Sequence, residues 1–282
     1  MEAATHRMLL SCPDRPGLVA EIAGTLSTHG ANIIRLDEHA DGSMFAARVE
    51  WTLPETGDGA ALNAELRSKF AGQGRYLRLA DGAGEPRVAI LCSREDHCLS
   101  DLLWRFAEGE MPGTVARVIS TSDLHRRRVE SYGVPYEHLP VASREEMPAH
   151  EEGLLDLLAG EAELVVLARY MRILSAGFLQ RLGCPAINIH HSFLPAFKGA
   201  GPYERAHERG VKLIGATAHY VTADLDEGPI IEQDTVRVSH RDAADDLRRM
   251  GRDVERVVLA RAVRAHLEDR VVVWGQRTVV FP

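Results

Sequence analysis

The chain has 282 residues, 45% of them hydrophobic and 26% charged, and 33 basic against 41 acidic side chains leave a net charge of −8 at neutral pH. At about 150 residues per domain the length implies two units, the apolar share is enough for packed cores, and the acidic balance gives no global attraction to nucleic acid. No apolar run approaches the roughly 18 residues that span a bilayer, the first residues lack an apolar signal segment, and Cys12, Cys92, Cys98 and Cys184 form no CxxC pair, so a cytoplasmic protein with reduced thiols, no zinc site and no disulfide framework is expected.

Residues 7–12 form a short apolar run that ends in the loop signal Pro13-Asp14-Arg15-Pro16-Gly17. Leu18, Ile22 and Leu26 then share one face of a helix that Gly30 closes. Segments 32–38 and 44–52 alternate as strands, and Asp41-Gly42 between them is a hairpin signal. A second helix carries Leu62, Leu66 and Phe70 and leads to a strand over 75–79. The order βαββαβ is the ferredoxin-like arrangement. The stretch 81–86, Asp-Gly-Ala-Gly-Glu-Pro, reads as a linker.

Beyond the linker, strands at 87–93, 115–120, 164–168 and 186–190 alternate with helices near 98–108, 122–132, 145–160 and 175–182. That alternation predicts a mostly parallel sheet covered on both faces. Two longer strands, 214–221 and 229–238, precede a long helix over 241–269 and a terminal hairpin over 271–281. The expected fold class is α/β: a ferredoxin-like unit over 1–80, the linker 81–86, and a Rossmann-like unit over 87–282.

Polar chemistry gathers where strands end. Asn188 and His190 are two apart on one strand, so they point to the same face. An amide donor beside an imidazole suits a reaction through a tetrahedral oxyanion. The loop 222–229 carries Asp224, Asp226 and Glu227 before Gly228-Pro229, and a carboxylate against the imidazole orients the ring and favours its charged form. Met171-Arg172-Ile173-Leu174 follows another strand end, where backbone groups can grip a flat heterocycle, and Ser175 suits the cap of the next helix. No GxGxxG, GxSxG or HExxH occurs, which removes dinucleotide-binding, serine-hydrolase and zinc-protease readings.

As an ordered set, Asn188-x-His190, Ser192-x-Leu194-Pro195, His219-Tyr220-Val221 and Asp224-x-Asp226-x-Gly228 resemble the folate-dependent formyltransferase family over about residues 87–282. The resemblance implies that Asn188, His190 and Asp226 form the catalytic trio. It implies that Met171, Arg172, Ile173 and Leu174 grip the pterin, with His219, Val221, Asp224 and Leu225 on the opposite wall. The first unit, through Asp14-Arg15-Pro16-Gly17-Leu18-Val19, is similar to ACT domains, which implies a small-molecule effector there and pairing into a homo-oligomer.

Relatives that formylate glycinamide ribonucleotide carry a glycine loop for the acceptor's phosphate. Here Ser93-Arg94-Glu95-Asp96-His97 stands at that place, with no glycine to let backbone amides wrap a phosphate and two acids to repel it. Water is then the nucleophile. The implied reaction is hydrolysis of 10-formyltetrahydrofolate to tetrahydrofolate and formate, supplying formate for purine synthesis and balancing one-carbon pools. It needs no metal or separate cofactor, no nucleic acid and no membrane. Formyl transfer to a small amine is the alternative, because Lys198 sits near the active strand; a regulatory binding protein with a decayed catalytic unit is a third.

Overall fold

The computed structural model describes residues 4–72, 75–82, 84–194 and 202–282. It divides into two compact units, one of Met1–Gly84 with Glu268–Pro282 and one of Glu85–Leu267. The first unit contains β1 (Thr5–Pro13), α1 (Leu18–Thr28), β2 (Asn32–Asp41), β3 (Met44–Thr52), α2 (Gly59–Phe70) and β4 (Tyr76–Ala80). Its strands form an antiparallel sheet in the order β2-β3-β1-β4, the ferredoxin-like topology. Alternation in β1 and β3 turns Met8, Leu10, Phe45, Val49 and Trp51 toward the helices, where they share one core with Ile22 and Leu26 of α1 and Leu62 and Leu66 of α2. Gly42, at φ +55°, makes the β2–β3 turn at the expected Asp41-Gly42.

The second unit follows as β5 (Arg87–Cys92), α3 (His97–Ala107), β6 (Thr114–Ser120), α4 (Arg126–Glu130), β7 (Tyr136–His138) and α5 (Met147–Leu158). It continues with β8 (Leu164–Ala168), α6 (Ala176–Leu182), β9 (Ala186–His190), α7 (Pro202–Glu208), β10 (Leu213–Tyr220), β11 (Ile230–Arg237) and α8 (Ala244–Leu267). The seven strands lie in the order β11-β10-β9-β8-β5-β6-β7. Every pair from β7 to β9 is parallel, and β10 and β11 add antiparallel at the end. Residues of α5 and α6 share a core with Ala89, Leu91, Val165 and Leu167, while α3 and α8 pack together and α8 covers β9–β11. Among the described residues no helix is long and apolar enough to cross a membrane. The three-residue β7 and the seven-residue α7 are too short to leave a period in the sequence.

One boundary differs from the sequence reading, which assigns all of 87–282 to the second unit. The terminal hairpin, β12 (Val271–Trp274) with β13 (Arg277–Val280), belongs with the first unit. The physical reason lies in β1 and β3, whose second face is also apolar. Leu9, Met44 and Ala46 on that face bury Val272 and Phe281 of the C-terminal segment. Arg48, 5% exposed, anchors it through the carbonyls of Asp269, at 2.7 Å, and Glu268, at 3.1 Å. Truncating Phe281 to alanine should therefore destabilise the first unit by about 3 kcal/mol, read as a lower denaturant midpoint for that unit's transition; an unchanged midpoint contradicts the packing role.

Candidate functional site

From β5 the chain runs outward to β6 and β7, then crosses back to place β8 on the other side of β5. Such a reversal leaves a crevice at the carboxyl ends of the strands, where open α/β sheets bind ligands. A cavity of about 730 Å³ opens there, within the size range of sites for small organic ligands. Asn188, His190 and Asp226 line it together, and so do Met171, Arg172, Ile173 and Leu225. A smaller adjoining cavity of about 60 Å³ shares Asn188, Arg172 and Asp226 and adds Leu174, His219, Val221 and Asp224. The structure thus gathers every site residue named from the sequence around two adjoining spaces. Pro195 and Lys198 lie outside the described residues.

The register of β9 and β10 builds the first wall. Asn188 stands directly opposite His219, and His190 opposite Thr217. The His219 Nδ1–H donates to the Tyr220 carbonyl at 2.9 Å, which leaves its Nε2 to accept from the Asn188 amide at 3.3 Å. Burial is the largest influence on His219 and moves it toward the neutral form. Its ring therefore holds Asn188 in place and leaves the amide's second N–H available to a ligand. Beyond β9 the chain bends, and Thr217 fixes that bend by accepting from the Leu194 N–H at 3.0 Å and donating to the Ser192 carbonyl at 2.9 Å.

Asp226 arrives from the loop between β10 and β11. Its Oδ1 lies 3.2 Å from His190 Nδ1 and 3.7 Å from His219 Nε2. Burial alone would raise this carboxyl, but the hydrogen bond and charge of His190, with His219 and His191 behind it, outweigh burial and hold it below the usual range. The opposite ring nitrogen, His190 Nε2, is buried and has no hydrogen-bond partner among the described residues. Asp226 sits at φ +57°, a left-handed conformation that aspartate and asparagine tolerate better than most residues. Gly228, two residues on, lies so close to the Tyr220 carbonyl that an added Cβ would collide with its oxygen.

The turn after β8 forms the facing wall. Arg169 and Met171 both adopt left-handed backbone, at φ +61° and +59°. The Ser93 hydroxyl donates to the carbonyl of Tyr170 between them, and the buried Tyr170 hydroxyl meets His150. These contacts hold a strained turn in one shape and leave Met171 and Ile173 more than half exposed at the cavity, at 55% and 67%. Ser175 caps α6 as expected, accepting from the Phe178 N–H at 3.1 Å, and Glu151 in turn binds the Ser175 N–H and hydroxyl at 2.7 and 2.6 Å.

Sequence reasoning missed the charged floor of the cavity. Glu255 of α8 is 1% exposed and accepts from Tyr203 Oη at 2.6 Å and His97 Nε2 at 2.8 Å. Arg169 Nε lies 3.5 Å from it, and Arg169 Nη2 3.7 Å from Glu95. Burial would raise Glu255, but the His97 hydrogen bond and the Arg169 charge overcome it and hold the carboxyl below its usual range. A signal for Glu255 existed: it continues the buried stripe of Leu247, Gly251, Val258 and Leu259 on α8, where an acid is almost never found without a partner. Gly251 on that stripe gives room to Tyr203, whose hydroxyl would overlap an added Cβ. His97, Cys98 and Glu255 bring ligand-type atoms within 4.8 Å of one another. Burial holds the Cys98 thiol well above its usual range, and both Glu255 oxygens already have donors, so these groups fit an ion-pair network rather than a zinc site.

Both units match known families. A model of the formyl transferase family matches residues 86–263, and one of the ACT domain matches residues 6–55. A formyltetrahydrofolate deformylase of Mycobacterium tuberculosis (strain ATCC 25618 / H37Rv) is 53% identical over 98% of this chain and 90% of its own length. One of Synechocystis sp. (strain ATCC 27184 / PCC 6803 / Kazusa) is 48% identical over the full length of both. The crystal structure of a formyltetrahydrofolate deformylase from Pseudomonas syringae superposes with a TM-score of 0.91 at 46% identity, covering 99% of this chain and 94% of that one.

Two outcomes are expected from the geometry. Gly228→Ala must displace the loop from the Tyr220 carbonyl, so the Tyr220 N–H, bonded to the Pro229 carbonyl at 3.0 Å, should lose protection in hydrogen exchange; unchanged protection would contradict the close approach. Asp226 and Glu255, lowered from 3.8 and 4.5 in the folded chain, contribute stability that is present above those values and is lost as pH falls through the folded ones. Stability measured from about pH 6 down to about pH 3 should fall, and the fall should be shallower in Glu255→Gln.

Proposed function

Because the chain belongs to the formyltetrahydrofolate deformylases of the formyl transferase family, we propose that it hydrolyses 10-formyltetrahydrofolate to tetrahydrofolate and formate, and so supplies formate for purine synthesis. The observation that carries the catalytic assignment is the pairing of His190 Nδ1 with Asp226 at 3.2 Å while its buried Nε2 has no partner among the described residues. In the imidazolium form of that ring, the proton on Nε2 is free for a ligand. Together with the second N–H of the Asn188 amide, it gives two donors for the oxygen of a formyl group that becomes tetrahedral. Asp226 orients the ring and stabilises its charged form as that oxygen becomes negative.

The pterin edge suits the smaller cavity, where Leu174, Val221 and the loop 222–226 form a narrow slot. The exposed side chains of Met171, Ile173 and Leu225 offer apolar surface to the remainder of the folate. On the acceptor side, Glu95 lines the cavity and faces Arg169 and Arg252 at 3.7 and 3.5 Å. This carboxylate engages both guanidiniums rather than leaving them to hold the phosphate of a nucleotide acceptor, which favours water over an anchored amine. No metal or separate cofactor enters this scheme. The ACT unit supports a further reading, in which its domains pair into a homo-oligomer and bind a small effector, in a cytoplasmic enzyme that engages neither nucleic acid nor membrane.

The test is to follow formate and tetrahydrofolate together in buffer free of amines. Equal release of both is expected. Asn188→Ala and His190→Ala should each lose about 10²–10³ in rate while tetrahydrofolate still binds. Asp226→Asn should also abolish turnover, and since asparagine accepts φ +57° the loop should keep its shape. Near-normal turnover in any of the three removes that residue from the mechanism.

A further inference from the structure

Among the described residues of the second unit, His97, His125, His150, His219 and His266 are each at least partly buried and each has a hydrogen-bond partner. His150 Nδ1 is also buried without a partner, but His150 does not line the large cavity; two ring positions that do line it differ from the rest. One is His190 Nε2, assigned above to the formyl oxygen. The other is the whole imidazole of His191, which among the described residues makes only ring contacts, 5.0 Å from His190 and 6.4 Å from Tyr203 between centroids. Both line the large cavity.

The chain bends at His191, and that bend carries its side chain into the same space as its neighbour. The charged and titratable groups that face it are Arg169 after β8, His190 on β9, Tyr203 on α7, Asp226 after β10 and Glu255 on α8. Burial first, then the positive charges of Arg169 and His190, push its titration down to about 4 against the opposing pull of Glu255 and Asp226. At neutral pH one ring nitrogen of His191 therefore carries a lone pair and no proton.

A water nucleophile needs such a group. An amine attacks with its own basic lone pair, whereas water is weakly nucleophilic until a base takes its proton. We propose that His191 is the catalytic base for the attacking water, taking its proton as the water oxygen bonds to the formyl carbon. The proposal rests on the hydrolase reading above. In the step, the C=O electron pair moves onto the oxygen held by Asn188 and His190 Nε2, and one water proton moves to His191. Collapse re-forms C=O and breaks the C–N10 bond, while N10 takes a proton from solvent and His191 returns its proton to solvent. The formic acid formed loses its hydroxyl proton to solvent, so one water is consumed and formate, tetrahydrofolate and one proton are released.

The experiment compares formate release in amine-free buffer with formyl transfer to added hydroxylamine, a nucleophile that needs no base, in wild type, His191→Ala and His191→Gln. Hydrolysis should fall by about 10²–10⁴ in both variants, while transfer to hydroxylamine and tetrahydrofolate affinity stay within about threefold of wild type. In His191→Ala the residual hydrolysis should rise about tenfold per pH unit as hydroxide replaces the missing base, where wild type is flat near neutrality. Hydrolysis within about threefold of wild type, or equal loss of both routes, overturns the assignment of His191. A wild-type protein that releases no formate overturns the hydrolase reading itself, and this proposal with it.

Discussion

The space over one backbone carbonyl, that of Tyr220, decides where the reactive groups stand. Its oxygen accepts the Nδ1–H of His219, which fixes that ring's tautomer and turns Nε2 toward Asn188. The same oxygen lies against Gly228 with no room for a side chain, so the loop folds back tightly and carries Asp226 over to His190. The amide and the carboxylate are thus both positioned through Tyr220 while belonging to different segments. A larger residue at 228 would separate two groups that the chemistry needs close to one formyl carbon.

The two walls are held by different means. Asn188 and His190 ride on a strand inside the sheet, so their spacing follows from backbone pairing. The opposite wall is a turn with two non-glycine residues in left-handed backbone, kept there by a hydroxyl on its central carbonyl and a buried tyrosine. Strained residues persist only where surrounding contacts over-determine them. The groups that orient reacting atoms are placed by regular structure, and the groups that meet the bulk of the ligand by a braced loop.

Much of this was legible in the sequence because it follows local rules. Strand alternation puts Asn188 and His190 on one face, and three acids before Gly228-Pro229 mark a loop capable of reaching them. Arg169 escaped because its role depends on a backbone angle that no pattern announces. His191 escaped because alternation sends it to the other face, and only a bend after β9 returns it. Glu255 was readable as an acid in an apolar helical stripe, but its partners Tyr203, His97 and Arg169 come from three separate segments. The misplaced boundary has the same origin. In β3 the run Met44-Phe45-Ala46-Ala47 is apolar on both faces, a sign that a second layer was needed, and the layer came from the far end of the chain.

That last arrangement bears on how the protein comes into being. A domain made early in synthesis ordinarily completes its fold while the remainder is still being translated. Here the first unit includes Glu268–Pro282, so the sheet face formed by Leu9, Met44 and Ala46 stays uncovered until the whole second unit has left the ribosome. Order of translation and order of completion are reversed: the unit begun first is finished last, and a nascent chain halted before Val272 presents an open apolar face to the folding machinery of the cell.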